Sequence, residues 1–348
     1  MAEANGSGAV AGEAVALTKK DFSSDQEVRW CPGCGDYSVL TAVQLMMPEL
    51  GVRPENTVFV SGIGCSSRFP YYMNTYGIHS IHGRAPAVAT GVAIARPELD
   101  VWVITGDGDG LSIGGNHLIH ALRRNVNFTI LLFNNQIYGL TKGQYSPTSE
   151  MGKVTKSSPF GSLDYPFNPL SLALGAEATF VARTHDLDRK HMQSVFRRAH
   201  DHQGAAFVEI YQNCNVFNDG AFDQILKKDV RAGMLIELEH GEPIRFGDDK
   251  ELGVRLNSYG EAEVVNVADV GADVLLVHDE HRPDPSVAFA LSRLANQPTV
   301  PTPVGIFRDV SRPTYEAQVQ QQLVAAQERS GPGDLRKLLE SAPVWDVN

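Results

Sequence analysis

The sequence predicts an α/β fold built on a doubly wound, mainly parallel sheet, and three observations predict it. Residues 101–148 hold an apolar, β-branched run (101–105), a glycine-acidic turn, a segment of helical periodicity (116–124) and a second apolar run (128–133). This is one strand–helix–strand unit, whose strands should be parallel and neighbouring. Strand-like runs separated by helical segments recur on both sides, at 57–60, 178–182 and 207–211. Finally, 348 residues with 43% hydrophobic and 20% charged content can bury a full core.

In chain order, residues 1–20 (MAEANGSGAVAGEAVALTKK) are small and polar and lack the basic and apolar regions of a signal peptide. A flexible tail is expected there, with folding starting near Asp21. Residues 30–37, Trp-Cys-Pro-Gly-Cys-Gly-Asp-Tyr, read as a tight loop, and 38–50 as a helix stopped by Gly51. The strand at 57–60 feeds the loop Ser61-Gly62-Ile63-Gly64-Cys65-Ser66-Ser67-Arg68. A short strand at Ser80-Ile81 precedes His82-Gly83-Arg84, and 86–96 is a helix of small residues. After the central unit, 143–169 is rich in Ser, Pro, Gly and Thr, and a stretch that long without elements points to a functional loop.

A helix at 170–174, a strand at 178–182, a polar-faced helix at 186–201 and a strand at 207–211 follow. The histidines of that helical region (His185, His191, His200, His202) are expected to be solvated. Beyond Asn218 the pattern changes to a helix at 220–231, a charge-rich hairpin at 235–254, a strand at 274–278 and a polar amphipathic helix at 315–329. The organisation expected is therefore a tail (1–20), an α/β domain (21–218) and a C-terminal extension packed on it (219–348).

A net charge of −11, from 30 basic and 41 acidic residues, argues against nucleic acid or an anionic membrane as partner. No apolar run approaches the ~20 residues of a membrane span. A cytoplasmic protein is expected, in which structural disulfides are rare, so the four cysteines need another explanation.

Asp107 and Asn135 each end a strand of the central unit. A carboxylate and an amide oxygen converging at a sheet edge suit a hard cation such as Mg²⁺, which favours oxygen ligands and bridges phosphates. The carbonyl of Ile137, where the chain turns back, completes such a set, and the flanking glycines let backbone N–H groups approach phosphate. Either element alone reads as a turn or a strand terminator. Together, on one unit, they favour a site. Neither GxGxxG after a first strand nor GxxxxGK[ST] is present.

Cys31 and Cys34 form C-x-x-C in a Pro/Gly loop, and Cys65 and Cys214 each follow a strand. Four thiolates at one sheet edge suit Zn²⁺ or an iron–sulfur cluster, and the residues alone leave both open.

The GDG…NN pattern resembles the diphosphate-binding motif of thiamine diphosphate enzymes. That resemblance implies that Asp107, Asn135 and the Ile137 carbonyl hold Mg²⁺, with Gly108, Asp109, Gly139 and Leu140 lining the cofactor. Added to Cys31-Pro-Gly-Cys34-Gly, Gly62-Ile-Gly-Cys65-Ser, His82-Gly-Arg84, Gly114-Gly-Asn-His117 and the 138–148 segment YGLTKGQYSPT, residues 28–218 resemble the β subunit of 2-oxoacid:ferredoxin oxidoreductases, nearest the 2-oxoglutarate type. The resemblance implies a pyrophosphate-binding (PP) domain fold. It also implies thiamine diphosphate, Mg²⁺ and one [4Fe–4S] cluster on Cys31, Cys34, Cys65 and Cys214. The loop Ile63, Gly64, Cys65, Ser66 would touch the cofactor and His82 its diphosphate, with Arg68 serving the 2-oxoacid and Lys142 coenzyme A.

The implied reaction takes 2-oxoglutarate, CoA and oxidised ferredoxin to succinyl-CoA, CO₂ and reduced ferredoxin. It runs through a thiamine diphosphate enamine and one-electron transfers by the cluster. Pyruvate or a broad 2-oxoacid range is the alternative within the same chemistry. Only the diphosphate half of a thiamine site is legible, so an α subunit carrying the pyrimidine-binding domain is expected, in an α2β2 assembly inactive without it. Arg123, Arg124, Lys153 and Lys156 are candidate contacts for an acidic ferredoxin. Two readings from other classes remain: a non-oxidative thiamine decarboxylase subunit, and a zinc-stabilised module without catalysis.

Overall fold

Residues 17–294, 300–343 and 345 are described by the computed structural model. Residues 1–16 of the expected tail lie outside the described residues. From Lys19 to Phe22 the chain makes a 3₁₀ turn, and Phe22 is fully buried.

The strands are β1 (Thr57–Ser61), β2 (Tyr76–His79), β3 (Asp100–Gly106), β4 (Phe128–Asn134), β5 (Phe180–His185), β6 (Ala205–Tyr211), β7 (Leu235–Leu238), β8 (Arg245–Phe246), β9 (Leu252–Leu256), β10 (Ala262–Asn266) and β11 (Thr302–Asp309). Eight of them form one sheet in the order β2-β1-β3-β4-β6-β5-β11-β7. Its pairings are parallel except β5 with β11. The antiparallel partner β11 means that the C-terminal region contributes strands to the sheet rather than only packing on it.

Helices cover both faces: α1 (Asp36–Met46), α2 (Ala85–Ala95), α3 (Asp107–Leu111), α4 (Gly115–Arg124), α5 (Pro169–Gly175) and α6 (Arg189–Asp201). The strand periodicity of two sorts side chains between the faces. Val101, Val103, Ile130 and Leu132 join one apolar cluster with α2, α4 and α5. Trp102, Ile104, Leu131 and Phe133 join the other with α1 and α6. A strand buried on both faces reads as an unbroken apolar run, which is how β3 and β4 appear in the sequence.

The register sets up the site. Gly106 lies opposite Phe133, so Asp107 and Asn134 leave the sheet side by side at its carboxyl edge. Asn134 in turn lies opposite Tyr211, which places Cys214 just beyond the same edge.

Several local expectations are corrected. The glycine-acidic turn is α3, one turn of helix entered directly from β3. The edge strand is Tyr76–His79, not Ser80-Ile81; it is a four-residue, exposed strand that pairs with β1. The single helix expected at 220–231 is two turns, Asp223–Leu226 and Arg231–Met234. The expected hairpin is split. Its first strand, β7, joins the large sheet, while β8, β9 and β10 form a small antiparallel one. No strand forms at 274–278; its end makes one bridge, Val277 to Pro243. The helix Ser286–Leu294 and β11 carry much of the C-terminal packing and were not anticipated.

The histidines near α6 are engaged, not solvated. His185 is 1% exposed and lies 2.9 Å from Arg231 Nη2, and burial pushes it down to about 4. His191 meets Thr184 Oγ1 at 2.8 Å, His202 sits between Thr179 and Asp309, and His200 stacks on Trp102.

Candidate cofactor site

Asp107 is 2% exposed at the junction of β3 and α3. Its Oδ2 accepts hydrogen bonds from Ser146 Oγ (2.5 Å) and Thr148 Oγ1 (2.6 Å). Burial pushes the carboxyl up to about 6 against the pull of these hydroxyls. Thr148 Oγ1 also lies 2.9 Å from Asn134 Oδ1, so the hydroxyl stands between Asp107 and the first asparagine of the pair. Asn135, the second, is turned to Gln212, with its Nδ2 2.8 Å from Gln212 Oε1, and its Oδ1 accepts the Ile137 N–H at 3.2 Å. The bend at Gln136 has φ +56°, and Ile137 is buried.

Asp109 is a hub. Its Oδ1 accepts the Ile63 N–H (3.1 Å) and Gly83 N–H (2.7 Å) and lies 2.5 Å from His82 Nδ1, while Oδ2 accepts Thr105 Oγ1 (2.7 Å). One buried carboxylate thus pins the loop after β1 and the His82 turn to the end of β3. A Cβ on Gly62 would run into this carboxylate, so only glycine lets the loop approach. Tyr138 lies over Gly108 and donates to its carbonyl at 2.9 Å. Ser66 is buried close to Gly106.

The four cysteines come together. Burial pushes the Cys65 thiol up to about 12, with Asp36, Cys214 and Cys31 adding to the rise. Burial likewise raises Cys34, helped by Asp36, Cys214 and Cys65. Cys214 is buried and Cys31 exposed, so the group reaches from the interior to the surface. Trp30 Nε1 donates to the Cys65 carbonyl (2.7 Å), and Asn215 Nδ2 to that of Pro32 (2.7 Å), tying the three cysteine loops together. It is the clustering of the thiols, not their rise, that fits a metal centre, whose charge would deprotonate coordinating thiols outright. Gly139 joins the two regions: a Cβ there would sit 3.4 Å from Cys214 Sγ and 3.6 Å from Cys65 Sγ.

Arg68 lies on the 3₁₀ turn Ser66–Tyr72, near enough to Cys65 to oppose part of its rise. Lys142 is exposed in the left-handed region (φ +76°), at the tip of a turn closed by the Tyr138–Gln144 bridge, and Leu140 beside it is 49% exposed. A cleft of about 710 Å³ opens beside Asn134 and Thr148, lined also by Lys153, Arg183 and Glu209. Lys153 is engaged there by Glu150 (2.9 Å) and Asn218 (2.6 Å), which argues against an open docking cation.

The family described as thiamine pyrophosphate enzyme, C-terminal TPP binding domain, matches residues 62–210. The 2-oxoglutarate oxidoreductase subunit KorB of Mycobacterium tuberculosis is 62% identical over 331 residues, 94% of this chain and 88% of its own length. The chain belongs to the 2-oxoacid:ferredoxin oxidoreductase β subunits. A β subunit of 2-oxoacid:ferredoxin oxidoreductase 1 from Aeropyrum pernix is 45% identical over 60% of this chain and 65% of its own. The solved 2-oxoglutarate:ferredoxin oxidoreductase from Magnetococcus marinus, with 2-oxoglutarate, coenzyme A and succinyl-CoA bound, aligns at a TM-score of 0.73 and 35% identity. That alignment covers 95% of this chain and 98% of that one.

As a β subunit, the chain is part of an oxidoreductase that works with an α subunit. Among the described residues no helix is long and apolar enough to cross a membrane. Sequence reasoning quoted Ser146 and Thr148 within a motif without giving them a role, and it missed Gln212. Their signal is position: two hydroxyls in a long Pro/Gly loop, and an amide between β6 and a cysteine.

Proposed function

We propose that this β subunit binds thiamine diphosphate with Mg²⁺ at the β3–β4 edge and a [4Fe–4S] cluster on Cys31, Cys34, Cys65 and Cys214. With its α subunit it would catalyse CoA-dependent oxidation of a 2-oxoacid, 2-oxoglutarate first, with ferredoxin as acceptor. One observation carries the reading: Gly139, just past the Asn135–Ile137 turn, packs against the thiols of Cys65 and Cys214, so the metal-phosphate edge and the thiol group are one site.

Thiamine diphosphate would supply a carbanion-stabilising thiazolium, and the cluster a one-electron acceptor. The rest falls to the chain. Asp107, Asn135 and the Ile137 carbonyl would ligate Mg²⁺. Thr148 and Ser146 hold the Asp107 carboxylate in place. Gly108, Asp109, Gly139 and Leu140 would line the cofactor, and Ile63, Gly64 and Ser66 would touch it from the cluster side. His82, fixed by Asp109, would donate to the diphosphate. Lys142 would attract the phosphates of CoA, and Arg68 the substrate carboxylate. The exposed Cys31 gives the cluster an edge toward solvent, where ferredoxin would meet it.

The test is anaerobic co-purification with the α subunit in an α2β2 assembly, followed by a CoA-dependent ferredoxin-reduction assay on several 2-oxoacids. The expected result is iron with acid-labile sulfide, and turnover fastest on 2-oxoglutarate. Zinc without iron, or decarboxylation without ferredoxin reduction, would sink the proposal. Reduction by the β chain alone would refute the need for the α subunit.

A further inference from the structure

Three ligand-type side chains gather outside the cofactor site, in the C-terminal part of the chain. His240 follows β7, and Glu280 and His281 lie on the segment that precedes the helix Ser286–Leu294. One ligand atom from each lies within 4.8 Å of the others. The two imidazole rings stand 4.7 Å apart between centroids. Glu280 has a side chain only 6% exposed, and Arg198 Nη2 holds its Oε1 at 2.7 Å.

The orientation of His281 is the informative feature. Its Nδ1 lies 2.7 Å from the Asp309 carbonyl, which can only accept, so Nδ1 carries a proton. In the neutral ring that leaves the Nε2 lone pair free, and Nε2 lies 3.6 Å from Glu280 Oε1. A metal-binding histidine characteristically donates its other ring N–H to a carbonyl or carboxylate in this way. Two ligands on one tetrahedral Zn²⁺, at about 2.0–2.1 Å each, stand roughly 3.3 Å apart. The His281–Glu280 pair is already within a few tenths of an ångström of that spacing. His240 is exposed, and Asp279 Oδ1 lies 3.8 Å from its Nδ1.

Charge agrees. Asp279, Glu280 and Asp309 supply three carboxylates, and Arg198, bonded to Glu280 and Asp309, supplies one guanidinium. Arg198 and His202, the latter 2.9 Å from Asp309 Oδ1, offset part of that negative charge, and the remainder favours a cation. We propose that His240, Glu280 and His281 bind a borderline divalent cation of the Zn²⁺ class, with Asp279 or water completing the shell. The cation clips together two segments already joined by Gly241 N–H to His278 O (2.8 Å) and His278 N–H to Glu242 O (3.0 Å). It is a fastening of the C-terminal part, separate from the thiol group and independent of the function proposed above.

The test uses the full chain in complex with its α subunit, its cysteine site already loaded, titrated with Zn²⁺ beside a His240→Asn/His281→Asn variant. Both histidines are exposed, which limits the cost of these substitutions to folding, and any zinc taken by the cysteines cancels in the difference. Wild type should take up one more equivalent than the variant, and His240→Asn alone should weaken that uptake by about tenfold or more. Zn²⁺ should raise the thermal midpoint of wild type and not of the double variant. Equal uptake and equal midpoints would overturn the proposal. That result would leave a histidinium–carboxylate ion pair as the reason these groups meet.

Discussion

The two sides of the cofactor site are finished to different degrees. Around Asp109 the polar groups are matched: two backbone N–H groups, a hydroxyl and an imidazole converge on one buried carboxylate. Around the cysteines they are not. Asp36 Oδ1 and Asn215 Oδ1 are buried without a hydrogen-bond partner, and burial pushes Asp36 up to about 7. Unmatched buried polar groups cost roughly 1–3 kcal/mol each, so the thiol side is the less well satisfied of the two.

The largest expected effect separates the two. Cys214→Ala replaces a buried thiol with a methyl group that cannot ligate iron. It should remove the visible charge-transfer absorbance and all ferredoxin reduction, while thiamine diphosphate still binds the complex. Iron analysis and cofactor fluorescence quenching read the two separately, and parallel loss of both would break the distinction.

Asp109→Asn strikes the finished side. The amide presents an NH₂ to groups that themselves donate, and stability should fall by about 3 kcal/mol in denaturant titration. The freed Ile63 and His82 loops should weaken thiamine diphosphate binding, with iron content unchanged. Thr148→Val is milder. It keeps the shape but withdraws the hydroxyl between Asp107 and Asn134, leaving Ser146 on the carboxylate. A loss near 1.4 kcal/mol, about tenfold in Mg²⁺-dependent cofactor affinity, is expected by calorimetry.

The same contrast explains what the sequence made legible. β3, β4 and the edge they share were readable because strands buried on both faces leave unbroken apolar runs and place Asp107 and Asn135 at their ends. The gathering of four cysteines followed from their places after strands and in tight loops. What stayed hidden rests on pairing between distant segments. β11 meets β5 in an antiparallel register that no local pattern encodes, and Gly305 near its middle (φ +108°) weakens its strand signal. Asp109 was expected to line the cofactor. Its side chain also fixes the loops that would join it there, and a buried hub of this kind looks in sequence like any other acidic residue of a turn.

Gln212 joins the two sides and gives the smallest and most specific test. It is 1% exposed. Its Oε1 receives Asn135 Nδ2 at 2.8 Å, and its Nε2 points to Cys34 Sγ at 3.3 Å and the Asn213 carbonyl at 2.5 Å. Hydrogen bonds to cluster sulfurs are among the levers on reduction potential, because a donor stabilises the more negative, reduced state. Gln212→Leu should therefore lower the cluster potential in a redox titration at full iron occupancy. It should also release Asn135, raising the Mg²⁺ concentration needed for half-saturation by several-fold. Gln212→Glu keeps the acceptor side for Asn135 but removes the donor to sulfur, so it should shift the potential and spare the Mg²⁺ dependence. If both variants changed only stability, the two sides would be neighbours without being coupled.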